Sequence, residues 1–236
     1  MNGLMTRLQT PLLIINTKNY LEVSGYKSIA LAKAAEAVSH KFGVEIALAP
    51  PIPFIGQIAR SVSIPLLSQH IDADLPGAST GAVVPEIVKS SGAVGSIINH
   101  SEKRISYSLL KDTVNRMNLV GLVSVVCVRT SEEASKVANL DVDFIAIEPP
   151  ELIGSGVAVS KAEPEIVSRS VETVRRVNSA VKVICGAGIV TGDDVESALL
   201  LGSAGVLVAS GVVKSEDWTK KIFELAEPLK SFSNKL

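Results

Sequence analysis

Residues 181–211 read VKVICGAGIVTGDDVESALLLGSAGVLVASG, and the order of events in that stretch decides the fold. Val181–Cys185 is a short apolar run with no polar alternation, ended by Gly186-Ala-Gly188. Thr191-Gly-Asp-Asp194 then puts two acids in the first turn of a helical stretch, Val195–Leu201, where they suit the positive end of the helix dipole. Gly205–Ala209 is a second apolar run, ended by Ala209-Ser-Gly211. An unalternated run of Ile, Val and Leu is how a strand covered on both faces reads. The stretch is therefore a strand, a tight turn, a helix and another buried strand.

The same unit recurs along the chain. Six further apolar runs precede it, at Leu12–Asn16, Val44–Ala49, Pro65–Gln69, Gly95–Asn99, Leu122–Cys127 and Asp143–Ile147. Helical stretches separate them. Ser24 to His40 carries Ile29, Ala30, Lys33, Ala34 and Ala37 at helical spacing, with Gly43 as a stop. Thr130-Ser-Glu-Glu133 has the capping-box form before Ala134–Ala138, and Ser160-Lys-Ala-Glu163 has it before Ile166–Val177. The helical segments near 53–60 and 131–138 look short. Repeated strand–helix alternation implies a parallel sheet, because each crossover returns the chain to the same edge. An open doubly wound sheet is the competing architecture. It usually shows a Gly-x-Gly-x-x-Gly turn after its first strand, whereas here that strand ends Asn16-Thr-Lys-Asn19. A count of eight strands favours the closed α/β architecture, a TIM (β/α)8 barrel forming a single domain over 1–236 with residues 1–10 as a loosely patterned lead-in. Met5 is a candidate start, with Met1 to Leu4 an extension.

Composition fits such a barrel. Of 236 residues, 47% are hydrophobic but only 4% aromatic, so the core must be built from Val, Ile, Leu and Ala. Lysine plus arginine (23) nearly balances aspartate plus glutamate (24), which argues against a nucleic-acid or anionic-membrane partner. No apolar stretch approaches the ~20 residues of a membrane span. Cys127 and Cys185 each end an apolar run and read as buried thiols rather than a disulfide or nucleophile. Few cysteines and no signal-peptide pattern point to the cytoplasm.

Catalytic groups of such barrels lie at the C-terminal ends of the strands. Glu148 directly follows Phe144-Ile-Ala-Ile147, and a partly desolvated carboxylate at a strand mouth makes a good base. The plain alternative is a surface loop acid. Lys18 follows Asn16 at the first strand's end, where an ammonium can neutralise a phosphate or a developing enolate oxygen; a solvated surface lysine is the alternative. His100 opens Ser101-Glu-Lys-Arg104; a helix turn there favours the neutral imidazole, which can donate to a carbonyl oxygen. His40 ends a helix and His70 falls in a loop. Gly186-Ala-Gly188 and Ala209-Ser-Gly211, on neighbouring strands, suit backbone N–H groups closing on a phosphate, or are simply tight turns. Pro149-Pro-Glu-Leu-Ile-Gly-Ser-Gly156 has the make-up of a rigid lid between hinges, or of an ordinary glycine-bearing turn.

Together, Asn16-x-Lys18, Asn99-His-Ser-Glu-Lys-Arg104 and Glu148-Pro-Pro-Glu-Leu-Ile-Gly-Ser-Gly156 resemble the triosephosphate isomerase family. With Cys185-Gly-Ala-Gly-Ile, they look like its compact archaeal branch. The resemblance extends from about Pro11 to Leu225. It implies a cofactor-independent and metal-free interconversion of dihydroxyacetone phosphate and glyceraldehyde 3-phosphate, a step of glycolysis and gluconeogenesis. It makes Glu148 the base, His100 the electrophile and Lys18 the fixed cation. Asn16, Thr17, Lys18, Ile153, Gly188, Ala209 and Ser210 become substrate-binding positions, and Glu102 a support for Lys18 or the histidine. Pro149, Pro150, Glu151, Leu152, Gly154, Ser155 and Gly156 become the lid. Thr17 departs from the family, where many members have an aromatic, and Glu151-Leu152 stands where another branch has Trp. The loop Gln69–Gly81 resembles one that packs into a partner subunit, and the short helices resemble tetrameric members. A homo-oligomer follows, a tetramer before a dimer. Two readings compete: another sugar-phosphate enzyme on the same scaffold, and an inactive phosphate-binding barrel.

Overall fold

The computed structural model describes residues 8–152 and 156–233. The suggested extension Met1–Leu4 and the lid positions Ile153, Gly154 and Ser155 lie outside the described residues.

Eight parallel strands form the barrel: β1 (Leu12–Asn16), β2 (Glu45–Ala49), β3 (Leu67–Ser68), β4 (Gly95–Ile98), β5 (Val123–Val128), β6 (Phe144–Ile147), β7 (Lys182–Cys185) and β8 (Gly205–Val208). They pair in the order β2-β1-β8-β7-β6-β5-β4-β3. A single parallel bridge, Leu48 to Leu66, joins the two ends and closes the ring. The open doubly wound alternative is thereby excluded.

Around the strands lie α1 (Tyr26–Phe42), α2 (Ile55–Ile58), α3 (Pro85–Ser90), α4 (Tyr107–Val120), α5 (Ser131–Val137), α6 (Val159–Ala162), α7 (Pro164–Val177), α8 (Gly192–Leu200), α9 (Ser210–Val213) and α10 (Trp218–Ser233). Among the described residues, no helix is long and apolar enough to cross a membrane.

Successive side chains of a strand face opposite ways, so the apolar runs divide into two cores. Leu12, Ile14, Leu67, Ile97, Val125 and Phe144 fill the barrel's interior with other small and branched residues. Leu13, Ile15, Ile46, Ile98, Ile145 and Ile147 face the helices. Both faces of each strand are buried, which is why its sequence shows no alternation. The same period decides what reaches the mouth. Leu12 and Ile14 face inward, and Asn16 is next in that series; Phe144 and Ala146 face inward, and Glu148 follows them. Small inward residues (Ala49, Cys127, Ala146) occupy the last apolar level and leave room above them.

Three local expectations change. The third strand is much shorter than Pro65–Gln69. Pro65 has no N–H for a ladder, and Ser68 turns its hydroxyl back onto the His70 carbonyl (2.7 Å). Thr130 does cap α5 through the Glu133 N–H (3.2 Å), but the Glu133 carboxylate takes the Arg129 N–H (3.0 Å) rather than closing a box. Ser160 caps nothing. It lies within α6 and donates to the Asp194 carbonyl (3.2 Å), while α7 starts afresh with Pro164 in its first turn. The capping box that does form is Thr191 with Asp194, at the start of α8.

Candidate active site

A cavity of about 350 Å³ opens at the C-terminal ends of the strands. Lys18, His100, Glu148, Gly156, Gly188, Ala209 and Ser210 all line it, although they come from five segments of the sequence. An adjoining cavity of about 520 Å³ is lined by Asn16, Lys18, Gln69, His100 and Glu102. A further cavity, near Gln9, Asp141 and Lys182, lies at the opposite end of the strands, away from these groups.

Lys18 is held by its backbone. Its φ is +49°, a conformation uncommon outside glycine. Asn16 Oδ1 accepts the Lys18 N–H (3.0 Å), and Gln69 Nε2 donates to both the Lys18 carbonyl (2.8 Å) and the Ala49 carbonyl (3.0 Å). These bonds over-determine the turn and hold the strained backbone in place. The ammonium meets Glu102 Oε1 at 2.6 Å. Glu102 is largely exposed, so this pair aims the lysine more than it stabilises the fold.

His100 is buried and precedes a 3-10 turn, Ser101–Lys103. Its Nδ1 accepts the Glu102 backbone N–H at 3.2 Å. A ring nitrogen that accepts carries no proton, so the neutral ring presents Nε2–H. One N–H of a short turn does here what the sequence assigned to a helix. Nε2 lies 3.6 Å from Glu148 Oε2, too far for a hydrogen bond. Glu148 is 4% exposed, and its Oε2 has no hydrogen-bond partner among the described residues. A buried carboxylate oxygen left unpaired is costly in a merely structural role.

Beneath this pair lies Cys127. Its thiol is pushed well above the usual range, first by burial and then by the Glu148 carboxylate. Burial also pushes Cys185 up, to about 12. Both thiols are free and buried, as read from the sequence.

The glycines after β7 have reasons that the sequence hid. A Cβ on Gly186 would lie 2.5 Å from Glu148 Cγ and 2.9 Å from its Oε1. A Cβ on Gly188 would lie 1.8 Å from the Val157 carbonyl oxygen, and Gly188 has φ +71°. These residues are small because the Glu148 side chain and the Val157 carbonyl press against them. Asp194 fastens the same loop by accepting the N–H groups of Val190 (3.0 Å) and Thr191 (2.8 Å) and pairing with Lys161 (2.6 Å). Burial raises its pKa, but Lys161 and the two N–H groups outweigh that, and the net shift is downward.

Thr17 is not brought into the site. It is buried, and its hydroxyl donates to the Ala49 carbonyl (3.2 Å), so it serves the strand end rather than the cavity. Of the lid positions, Pro150–Leu152 forms a 3-10 turn and the Leu152 N–H donates to the Pro149 carbonyl (3.1 Å), so Glu151 sits at an exposed tip. The sequence reading missed Tyr20 and Lys214, which line the cavity with Lys214 Nζ 5.2 Å from the Tyr20 ring centre. Their separation of nearly two hundred residues leaves no local signal.

Comparison with known proteins agrees with this geometry. The family model described as triosephosphate isomerase matches residues 11–226. A triosephosphate isomerase from Methanobacterium bryantii is 47% identical over 221 residues, covering 94% of this chain and 98% of that protein. One from Cenarchaeum symbiosum is also 47% identical over 221 residues, covering 94% and 99%. One from Methanocaldococcus jannaschii is 45% identical over 214 residues, covering 91% and 98%. With a match that spans nearly the whole barrel, the chain belongs to the triosephosphate isomerase family.

Proposed function

We propose that this enzyme interconverts dihydroxyacetone phosphate and D-glyceraldehyde 3-phosphate, with Glu148 as the base, His100 as the electrophile and Lys18 as the fixed cation. The observation that carries the roles is the 3.6 Å gap between an unpaired, buried carboxylate oxygen and an imidazole nitrogen whose partner nitrogen is already engaged. Both groups line one cavity, and substrate lies against the two of them there. Glu148 takes the proton from the carbon next to the carbonyl. His100 Nε2–H hydrogen-bonds the carbonyl oxygen as charge develops there, giving an enediolate. The hydroxyl proton of the neighbouring carbon passes through the imidazole to the first oxygen. Glu148 then returns its proton to the former carbonyl carbon. Atoms and charge balance without any outside reagent.

The phosphate lies over the loops after β7 and β8, against the backbone of Gly188, Ala209 and Ser210, with the Lys18 charge at the other end of the substrate's negative region. Ile153 adds a backbone N–H from the lid, residues 149–156, which excludes water and keeps the enediolate from losing phosphate. Asn16 and Glu102 hold Lys18; Thr17 buttresses the strand end. The protein works in the cytoplasm as a homo-oligomer, a tetramer before a dimer, which light scattering on purified protein decides. For the reaction itself, a coupled assay with each triose phosphate is expected to show turnover in both directions. Turnover of a different phosphosugar, with none of either triose phosphate, would sink this reading.

A further inference from the structure

Beside the cavity lies a charged knot that the reaction does not use directly. Glu133, on α5, takes Arg104 Nη2 on both carboxylate oxygens (3.0 and 2.9 Å). It also takes Arg129 through Nε (3.0 Å), Nη2 (2.5 Å) and the backbone N–H (3.0 Å). Burial works to raise its pKa, but the bonds from Arg129 and Arg104 outweigh that and hold the carboxyl at about 2.

Arg104 reaches the other way as well. Its Nη1 lies 3.4 Å from the Cys127 carbonyl and 3.5 Å from the Asn99 carbonyl. Asn99 adds its own bonds: Nδ2 to the Cys127 carbonyl (2.9 Å) and Oδ1 from the Ile105 N–H (3.2 Å). Asn99 has φ +59° and immediately precedes His100. A non-glycine residue in the left-handed region persists only where its surroundings fix it. The ring tip of the next residue is ~6 Å away, so a backbone rotation of about 10° at Asn99 moves it by about 1 Å.

We propose that Glu133 is a positioning residue for His100: it anchors Arg104, Arg104 clamps the Asn99 and Cys127 carbonyls, and that clamp aims the imidazole. The inference rests on His100 being the electrophile. Arg129 is half exposed and contacts Glu133 from outside, so it is the control.

The test is a double-mutant cycle. Glu133→Gln and Arg104→Lys are each measured for kcat and KM, alone and with His100→Gln, together with thermal unfolding. Either variant alone is expected to lower kcat about tenfold and leave KM within about twofold, a fraction of the ~100-fold that a 1 Å misplacement can cost. Combined with His100→Gln, each is expected to lower kcat by less than about twofold, since no imidazole remains to be aimed. Arg129→Gln is expected to keep kcat within about twofold of wild type. Arg104→Lys keeps the test alive should Glu133→Gln not fold, because lysine loses the two-point contact but keeps the charge. An unchanged kcat in the folded variants, or an equal loss with and without His100, overturns the inference and leaves the reaction assignment standing. A His100→Gln enzyme as fast as wild type overturns the assignment of the electrophile and the inference with it.

Discussion

Replacing Gly186 with alanine isolates how tightly Glu148, the proposed base, is placed. The added Cβ would sit 2.5 Å from Glu148 Cγ. Carbon atoms settle at about 3.5 Å or more, so roughly 1 Å of relief is needed. Glu148 is buried, and Cγ is too near the backbone for the side chain simply to swing its end away. Two relaxations are available. If the carboxylate yields by about 1 Å, the proton transfer loses its alignment and kcat falls by ~100-fold, with little change in stability. If instead the Gly186 backbone yields, its N–H bond to the Ile147 carbonyl (3.0 Å) stretches. That costs about 1 kcal/mol, a drop of about 2–4 °C in Tm for a chain of this size. Gly186 has no positive φ, so the substitution carries no intrinsic backbone penalty to confuse the result. Steady-state isomerisation and a thermal melt on the same preparation separate the two. A folded Gly186→Ala protein with kcat within about threefold of wild type and an unchanged Tm would refute the claim that this glycine is needed for the position of the base.

Glu148→Asp draws the carboxylate back by one methylene and is expected to lower kcat by ~100-fold or more; an unchanged rate contradicts its role as base. Lys18→Ala is expected to abolish calorimetric binding of a phosphoglycolate-like anion, and wild-type affinity would remove Lys18 from the site. Glu133 also predicts a pH effect. Its folded carboxyl is at about 2 against an ordinary 4.5, so its stabilisation is complete above about pH 4.5 and is lost as pH falls toward 2. Urea unfolding should therefore show the gap between wild type and Glu133→Gln widest near about pH 6 and shrinking below about pH 4. A gap independent of pH would show that the low pKa contributes nothing to folding.

Much of the barrel was legible because its strands are buried on both faces, and a doubly buried strand must be apolar at every position. The mouth was legible for a related reason: a charged residue directly after such a run, such as Glu148, has few ways to be placed except at the rim. What escaped depended on contacts distant in sequence. Ser160 has a capping-box pattern, but its hydroxyl goes to Asp194, and nothing local distinguishes the two outcomes. Gly186 and Gly188 read as room for an anion, whereas their closest neighbours are Glu148 and Val157. Thr17 sits between two site residues in sequence, yet the strand period turns it toward Ala49. The Glu133–Arg104 contact spans 29 residues and leaves no periodic signature.

The hoop of strands is not equally strong all the way round. Between β2 and β3 it is joined by one bridge and the Leu48 N–H to Pro65 carbonyl bond (2.9 Å), beside full ladders such as β1 with β2. The next stitch along this seam is the Gln69 amide, which also holds the Lys18 carbonyl. Local opening starts where few backbone bonds must break, so amide exchange should enter the barrel at this seam and at β7–β8, which is paired, among the described residues, only at Cys185 and Val206. Anything that splints the β2–β3 seam from outside then tightens the Lys18 turn without touching it. Fidelity of the chemistry and integrity of the ring thus meet at a single side chain.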